Sequence, residues 1–219
     1  MEHIHERCTD IFESNRKTCV ECLLYFLENG ADPNSKNQYG STPLHCAALS
    51  GGPNSKKCLE LLLEYGADVN FKNQYGSIPL HHAASSEGPN SKECLELLLK
   101  YGADVNSKNQ YGSTLHCAAL SGGPNAKECL ELLLEYGADV NSKDEDEDTP
   151  LHCAARPGGP NSKEYLKILL EYGADVNSKN NNGATPFDIS TNDEIKEILK
   201  EREEWDDQLE IKEVERSEE

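Results

Sequence analysis

Apolar residues recur in two short helical patterns, and the pair repeats along the chain. In residues 37–72, Leu44, Ala47 and Ala48 stand at i, i+3 and i+4, one face of a helix. Gly51-Gly52-Pro53-Asn54 breaks that helix. A longer apolar set follows at Cys58, Leu59, Leu61, Leu62 and Leu63, with Lys56, Glu60 and Glu64 as its polar stripe. Thr42-Pro43 predicts a helix start, Thr as N-cap and Pro at the first helical position. Asn54 or Ser55 is expected to cap the second helix, and Gly66 to stop it. Asn37-Gln38-Tyr39-Gly40 reads as a turn in which Gly40 is free to take positive φ.

The pattern returns every 35 or 36 residues. Gly-Ala-Asp-Pro/Val-Asn begins at Gly30, Gly66, Gly102, Gly137 and Gly173, with Leu44-His45, Leu80-His81, Leu115-His116 and Leu151-His152 in step. One helix pair cannot bury two apolar faces alone, but stacked neighbours can. This changes the meaning of the composition. With 36% hydrophobic and 28% charged residues the chain reads as poorly buried, yet its apolar residues sit where stacking covers them.

Gly-Ser-Thr-Pro-Leu-His-Cys-Ala-Ala and Leu-Glu-Leu-Leu-Leu-Glu-Tyr-Gly-Ala-Asp-Val-Asn resemble the ankyrin repeat. The resemblance implies an all-α solenoid of helix-turn-helix units with short β-hairpin fingers. The family's period is about 33 residues. The excess here falls between the helices, around Gly51–Ser55, Gly88–Ser91, Gly122–Ala126 and Gly158–Ser162, where a longer surface loop costs little. Full units are expected at 37–72, 73–108, 109–143 and 144–179. Residues 1–36 form a degenerate first unit and 180–203 a capping unit, giving a repeat domain over 1–203 with an acidic tail at 204–219.

Two departures stand out. Unit 109–143 lacks the proline, since Thr114 runs directly into Leu115, and its helix start is expected to shift locally. In unit 144–179, Glu147 stands where the others carry Gly, so the tip Asp144–Asp148 should be strained or reshaped. The tail from Asp193 onward carries 13 acidic and 5 basic residues. It extends the last helix, with Trp205 and Leu209 at i, i+4, or it is disordered.

Charge narrows the functions. A net charge of −19 disfavours phosphate backbones and anionic membranes and suits a protein partner with a basic segment. The nine cysteines mostly occupy repeated helical positions, as small apolar residues do, so free thiols in a reducing, cytoplasmic setting are expected, with nuclear entry open. The start Met1–Arg7 has no apolar core of a signal peptide, and no apolar run approaches membrane-spanning length. No phosphate loop or nucleophile elbow appears, so no catalytic residue and no cofactor is expected. Adjacent pairs such as His45-Cys46 point apart on a helix and chelate poorly, and Cys19-x-x-Cys22 aligns with packing positions, so no metal is expected.

The resemblance implies a non-enzymatic protein-interaction scaffold or adaptor, expected to be a monomer, whose partner lies against the hairpin tips and the concave face of the first helices. Those positions are Lys36, Gln38, Tyr39, Ser41, Leu49 and Ser50; Lys72, Gln74, Tyr75, Ser77, Ser85 and Ser86; Lys108, Gln110, Tyr111, Ser113, Leu120 and Ser121. In the fourth unit they include Lys143, Arg156, Pro157 and the acidic run Asp144, Glu145, Asp146, Glu147 and Asp148. Tyr39, Tyr75 and Tyr111 form an aromatic row, of a residue type enriched in binding hot spots. An alternative is an inhibitor that masks a basic localisation segment of a transcription factor, by similarity to the cytoplasmic inhibitors of the Rel factors. Asn70, Asn106, Asn141 and Asn177 resemble sites taken by an asparaginyl hydroxylase.

Overall fold

The computed structural model describes residues 17–157, 159 and 161–217; the side chains of 17–19, 207 and 209–217 are not described. The first part of the degenerate unit, Gly158 and Pro160 of the fourth inter-helix loop, and the Trp205–Leu209 pairing lie outside this set.

The repeated pattern folds as helix pairs. These are α1 (Lys17–Glu28), α2 (Pro43–Ser50) with α3 (Ser55–Glu64), α4 (Pro79–Ala84) with α5 (Ser91–Lys100), α6 (Thr114–Leu120) with α7 (Ala126–Glu135), α8 (Pro150–Ala155) with α9 (Ser162–Glu171), and α10 (Pro186–Ile189) with α11 (Asp193–Ser217). First helices pack on the first helices of neighbouring units, and second on second, giving two layers of stacked helices. Leu44, Leu80, Leu115 and Leu151 in one layer, and Leu59, Leu95, Leu130 and Leu166 in the other, are completely buried. At the cysteine position of the second helices the fourth unit has Tyr165, also fully buried, whose hydroxyl donates to the Ser121 carbonyl at 2.9 Å.

The expected hairpin fingers are mostly tight turns. Strand pairing among the described residues occurs only at the tip that opens unit 109–143, between β1 (Lys108–Asn109) and β2 (Gly112–Ser113). In that unit the structure places the deletion differently from the expected shift. Ser113 is the N-cap and Thr114 the first helical residue, so α6 keeps its frame relative to Leu115-His116. The missing residue comes out of the tip, where Ser113 has to serve both as the last tip residue and as the cap.

The tip at 144–148 is not reshaped. Asp144 N–H donates to the Asp148 carbonyl at 3.0 Å and Glu147 N–H to the Asp144 carbonyl at 3.1 Å, matching Asn37 to Ser41 and Gly40 to Asn37 in the first tip. Glu147 keeps this turn at φ +59°, in the left-handed region where Gly40 and Gly76 sit at +71° and +74°. The expected strain is therefore a matter of backbone conformation.

The lengthened inter-helix loops stack on each other through glycine. A Cβ on Gly88 would lie 2.5 Å from the Gly51 backbone, and one on Gly123 would lie 2.9 Å from Glu87 Cα. The asparagines before the second helices do not cap with their side chains; Asn90 Nδ2 donates across to the Gly52 carbonyl at 2.8 Å and Asn125 Nδ2 to the Pro89 carbonyl at 2.6 Å. Ser55 Oγ instead accepts from Gly52 N–H at 2.8 Å.

At the far end α11 runs unbroken past residue 203 to Ser217. Ile195 and Leu199 are buried against the stack. Arg202 fastens the start of the charged stretch, with its guanidinium 4.5 Å above the Trp205 ring and Nη1 donating to the Leu170 carbonyl at 3.3 Å. Among the described residues no helix is long and apolar enough to cross a membrane.

Candidate binding face

Three ladders of polar groups hold the units in register, and they decide which side chains remain for a partner. The first runs through the histidines. His45 Nδ1 accepts from Thr42 N–H at 3.1 Å, which puts the ring proton on Nε2; Thr42 Oγ1 lies 2.9 Å from the same Nδ1, and Nε2–H donates to the Ser77 carbonyl of the next unit at 3.0 Å. His116 and His152 repeat this with Ser113 and Thr149 as caps and the carbonyls of Asp148 and Ala184 as acceptors. Burial lowers the pKa of His45 and His116, so both stay neutral donors at neutral pH.

The second ladder runs through the asparagines of Gly-Ala-Asp-Val-Asn. Asn70 Nδ2 donates to the Gly102 carbonyl at 3.0 Å while its Oδ1 accepts from Asp104 N–H at 2.8 Å. Asn106 and Asn141 do the same one and two units on. Both ends of these three exposed amides are thus engaged in joining units. Asn177 is exposed at the end of the ladder, where no further Gly-Ala-Asp follows.

The third ladder links the tips. Gln74 N–H donates to the Tyr39 carbonyl and Gln110 N–H to the Tyr75 carbonyl, each at 3.2 Å. Asn73 Nδ2 donates to Ser41 Oγ and Asn109 Nδ2 to Ser77 Oγ. These bonds leave Lys36, Gln38, Tyr39, Leu49, Lys72, Gln74, Tyr75, Ser85, Lys108, Gln110, Tyr111 and Leu120 exposed. Tyr111 is the most open of the tip tyrosines, at 63%. Ser41, Ser50 and Lys143 are half-buried.

Several expected contact residues are instead committed inward. Ser77, Ser86, Ser113 and Ser121 are buried. Ser86 Oγ accepts from Gly88 N–H and Ser121 Oγ from Gly123 N–H, which shapes the inter-helix loops. Asp148 is also buried; its carboxylate accepts from Arg156 Nη2 at 2.5 Å and Asn180 Nδ2 at 2.8 Å. Asp144 Oδ1 accepts from the Asp146 and Asp148 N–H groups and holds the turn. The outward acidic set is therefore Glu145, Asp146 and Glu147, of which Glu147 pairs with Lys143 Nζ at 2.9 Å.

A family model of ankyrin repeats, three copies, matches residues 11–109 and 115–204. The chain belongs to the ankyrin-repeat family. The interval between the two matched stretches contains the shortened tip of unit 109–143. No curated protein matches the chain significantly. Ankyrin repeats generally mediate protein–protein interactions, and the family consists typically of non-enzymatic interaction modules.

Two features of these ankyrin repeats escape a reading of tips and grooves alone. Tyr65, Tyr101, Tyr136 and Tyr172, at the ends of the second helices, are a second exposed aromatic series, between 40% and 47% open. Their recurrence before each Gly-Ala-Asp was the available signal. The other feature is a fault in the histidine ladder. His81 Nδ1 accepts from Ile78 N–H at 3.2 Å, but Ile78 has no hydroxyl, and His81 Nε2 has no hydrogen-bond partner. The residue before the cap, which supplies the acceptor at the intact junctions, is here Gly112; its carbonyl and that of Ser107 lie beside the His81 ring without completing a hydrogen bond at Nε2. His82, at the position that is Cys46, Cys117 or Cys153 elsewhere, packs edge-on to His45 at 5.4 Å and also has an unpartnered Nε2. Burial pushes both imidazoles down to about 4; the charges of His45 and His81 add to this for His82.

Seven described cysteines are free thiols, and burial pushes Cys94, Cys117 and Cys153 up to about 12. Such thiols are packing groups and poor nucleophiles. Among the described residues no three His, Cys, Asp or Glu side chains are placed to hold a metal ion together.

Proposed function

We propose that this ankyrin stack is a non-enzymatic scaffold or adaptor whose partner lies along the tips and the first-helix face, with a basic segment at the acidic end. The observation that carries this reading is the division of labour at the tips. The backbone and the Asn, Ser, Asp144 and Asp148 side chains hold the turns, which leaves Tyr39, Tyr75 and Tyr111 open on one stretch and Glu145, Asp146 and Glu147 on the next. Tyrosines offer broad contact area that stacks with guanidinium groups, and the carboxylates offer charge to the same residues. The near-identity of the three tyrosine tips suits a partner with a repeated contact, and the acidic tip sets its direction.

The test changes only outward groups. Glu145→Ser, Asp146→Ser and Glu147→Ser together spare the turn-holding Asp144 and Asp148. Binding of an arginine-rich peptide should weaken by about tenfold at low salt and lose part of its salt dependence. Unchanged affinity and slope would sink the acidic-end reading. Masking of a basic localisation segment is a special case of the same binding mode.

A further inference from the structure

The ends of the second helices carry a surface that the tip reading does not use. Tyr65, Tyr101, Tyr136 and Tyr172 each stand at the C-cap on nearly the same backbone, with φ between −85° and −89° and ψ between 9° and 12°. All four are exposed. Each is followed by a glycine, Gly66, Gly102, Gly137 or Gly173, where an added Cβ would meet nothing within 4 Å. One aromatic ring per unit thus stands open to solvent with bare backbone beside it. We propose that this row is a second docking surface, which takes an extended segment of a partner carrying an arginine at every third residue.

Charge selects a cation. Glu64, Glu135 and Glu171 directly precede three of the tyrosines, are exposed, and form no ion pair among the described residues. Asp68, Asp104 and Asp139, exposed just beyond the glycines, spend one carboxylate oxygen on the N–H two residues on. The carbonyl ends of the helices add partial negative charge. Lys100 alone breaks the series, standing where the other units have glutamate, and it is paired with Glu96 at 2.7 Å. Arginine suits both features of the row: its planar guanidinium stacks on a tyrosine face and binds a carboxylate in its own plane, whereas an ammonium is a strongly hydrated point charge. Spacing selects the backbone. Packed helices lie about 8–10 Å apart. A polyproline II chain has three residues per turn and rises about 3.1 Å per residue, so every third side chain returns to one face after about 9 Å. A β-strand returns to one face after about 7 Å and falls out of step within two units.

The test compares two peptides of equal composition and charge, Arg-Pro-Pro repeated four times and a control with the four arginines consecutive between proline runs. Both are titrated at low salt into the full chain carrying Glu145→Ser, Asp146→Ser and Glu147→Ser, which removes the outward charge of the tip. The spaced peptide should bind at least about tenfold more tightly than the clustered one. In 15N spectra it should shift the amides of Tyr65, Tyr101, Tyr136 and Tyr172 and of the glycines that follow them. Tyr101→Ser with Tyr136→Ser should weaken it by about tenfold, and Lys100→Glu, which completes the glutamate series, should strengthen it by about two- to threefold. If the tyrosine variant fails to fold, the peptide comparison and Lys100→Glu still decide. Equal affinity for the two peptides, shifts that avoid the helix ends, or no gain with Lys100→Glu would overturn the row. Binding of the clustered peptide to the parent chain and its loss on tip substitution belong to the tip reading, which stands or fails separately.

Discussion

The junction between units 37–72 and 73–108 and the junction that follows it use the same residue types and end differently. At the first, Thr42 gives His45 a hydroxyl, and Ser77, a full tip residue, gives it a carbonyl. At the second, Ile78 has no hydroxyl to give, and the residue before the cap is Gly112, whose carbonyl lies beside the ring without completing a hydrogen bond at Nε2. One deleted residue in one unit thus loosens the polar contact of its neighbour. The loops on the far side still stack at both junctions through Gly88 on Gly51 and Gly123 on Glu87. Stacking of a repeat protein is therefore modular in its apolar contacts and non-local in its polar ones, because each histidine is satisfied by the unit after it.

Acid should expose this difference most strongly. The folded-state pKa of His81 and of His82 is about 4, below the ordinary value of 6.5. Above pH 6.5 both states are neutral and nothing is lost. As pH falls from 6.5 towards 4, the unfolded chain binds protons first, so stability drops by up to about 1.4 kcal/mol per pH unit for each imidazole. His82→Cys installs the residue used at the equivalent place in three other units. Urea midpoints should then be equal or higher at pH 7, and the loss between pH 7 and 5 smaller by up to about 2 kcal/mol. An unchanged pH slope would mean that His82 is not held neutral by the junction.

The loop contacts come next. Gly88→Ala sets a Cβ 2.5 Å from the Gly51 backbone, where neither side can move as a flexible side chain would. A loss of about 2–3 kcal/mol is expected in urea unfolding. Gly66→Ala meets nothing within 4 Å but holds φ at +87°, and should lose about 1–2 kcal/mol for the backbone alone. If Gly88→Ala proves milder than Gly66→Ala, the loops do not pack as closely as described.

Much of this architecture was legible in the sequence, for a physical reason. Helix faces, the Thr-Pro starts and the Gly stops are local features, and the repeat multiplied each signal. The positive φ at position 147 was equally legible, because a turn with glycine at the other tips leaves little choice to its glutamate. What was hidden is what depends on the next unit. Ser77, Ser113 and Asp148 look like exposed tip residues until a neighbour covers them, and Asp144 looks like a free charge until it binds two backbone N–H groups of its own turn. The orphaned His81 required knowing which carbonyl, 32 residues away in the intact units, its ring should reach.

Repairing the deficient junction is the direct check on the comparison. A proline inserted between Thr114 and Leu115 restores the Ser-Thr-Pro-Leu-His order of the intact units. It should restore hydrogen-bond geometry at His81 Nε2, worth about 1 kcal/mol. A rise in urea midpoint with unchanged m would agree. A fall would mean that the β1–β2 pairing peculiar to this tip compensates more fully than the unpartnered ring suggests.

The smallest effect separates backbone strain from surface charge at the acidic tip. Glu147 holds φ at +59°, which costs a side-chain-bearing residue about 1–2 kcal/mol. Glu147→Gly removes that cost, but glycine also frees the unfolded chain by about 0.5–1 kcal/mol. The exposed pair with Lys143 at 2.9 Å is lost as well, worth no more than about 0.5 kcal/mol. The balance is a gain of about 0.5 kcal/mol, and it should grow with salt as the ion pair is screened away from the parent. The reverse change, Gly40→Glu, adds a Cβ 3.2 Å from Gln74 N in the neighbouring tip as well as the same backbone cost, so its loss should be larger than the gain at 147. If the two changes prove equal and opposite, strain at this position is set by the turn alone, and the contact with the next unit contributes nothing.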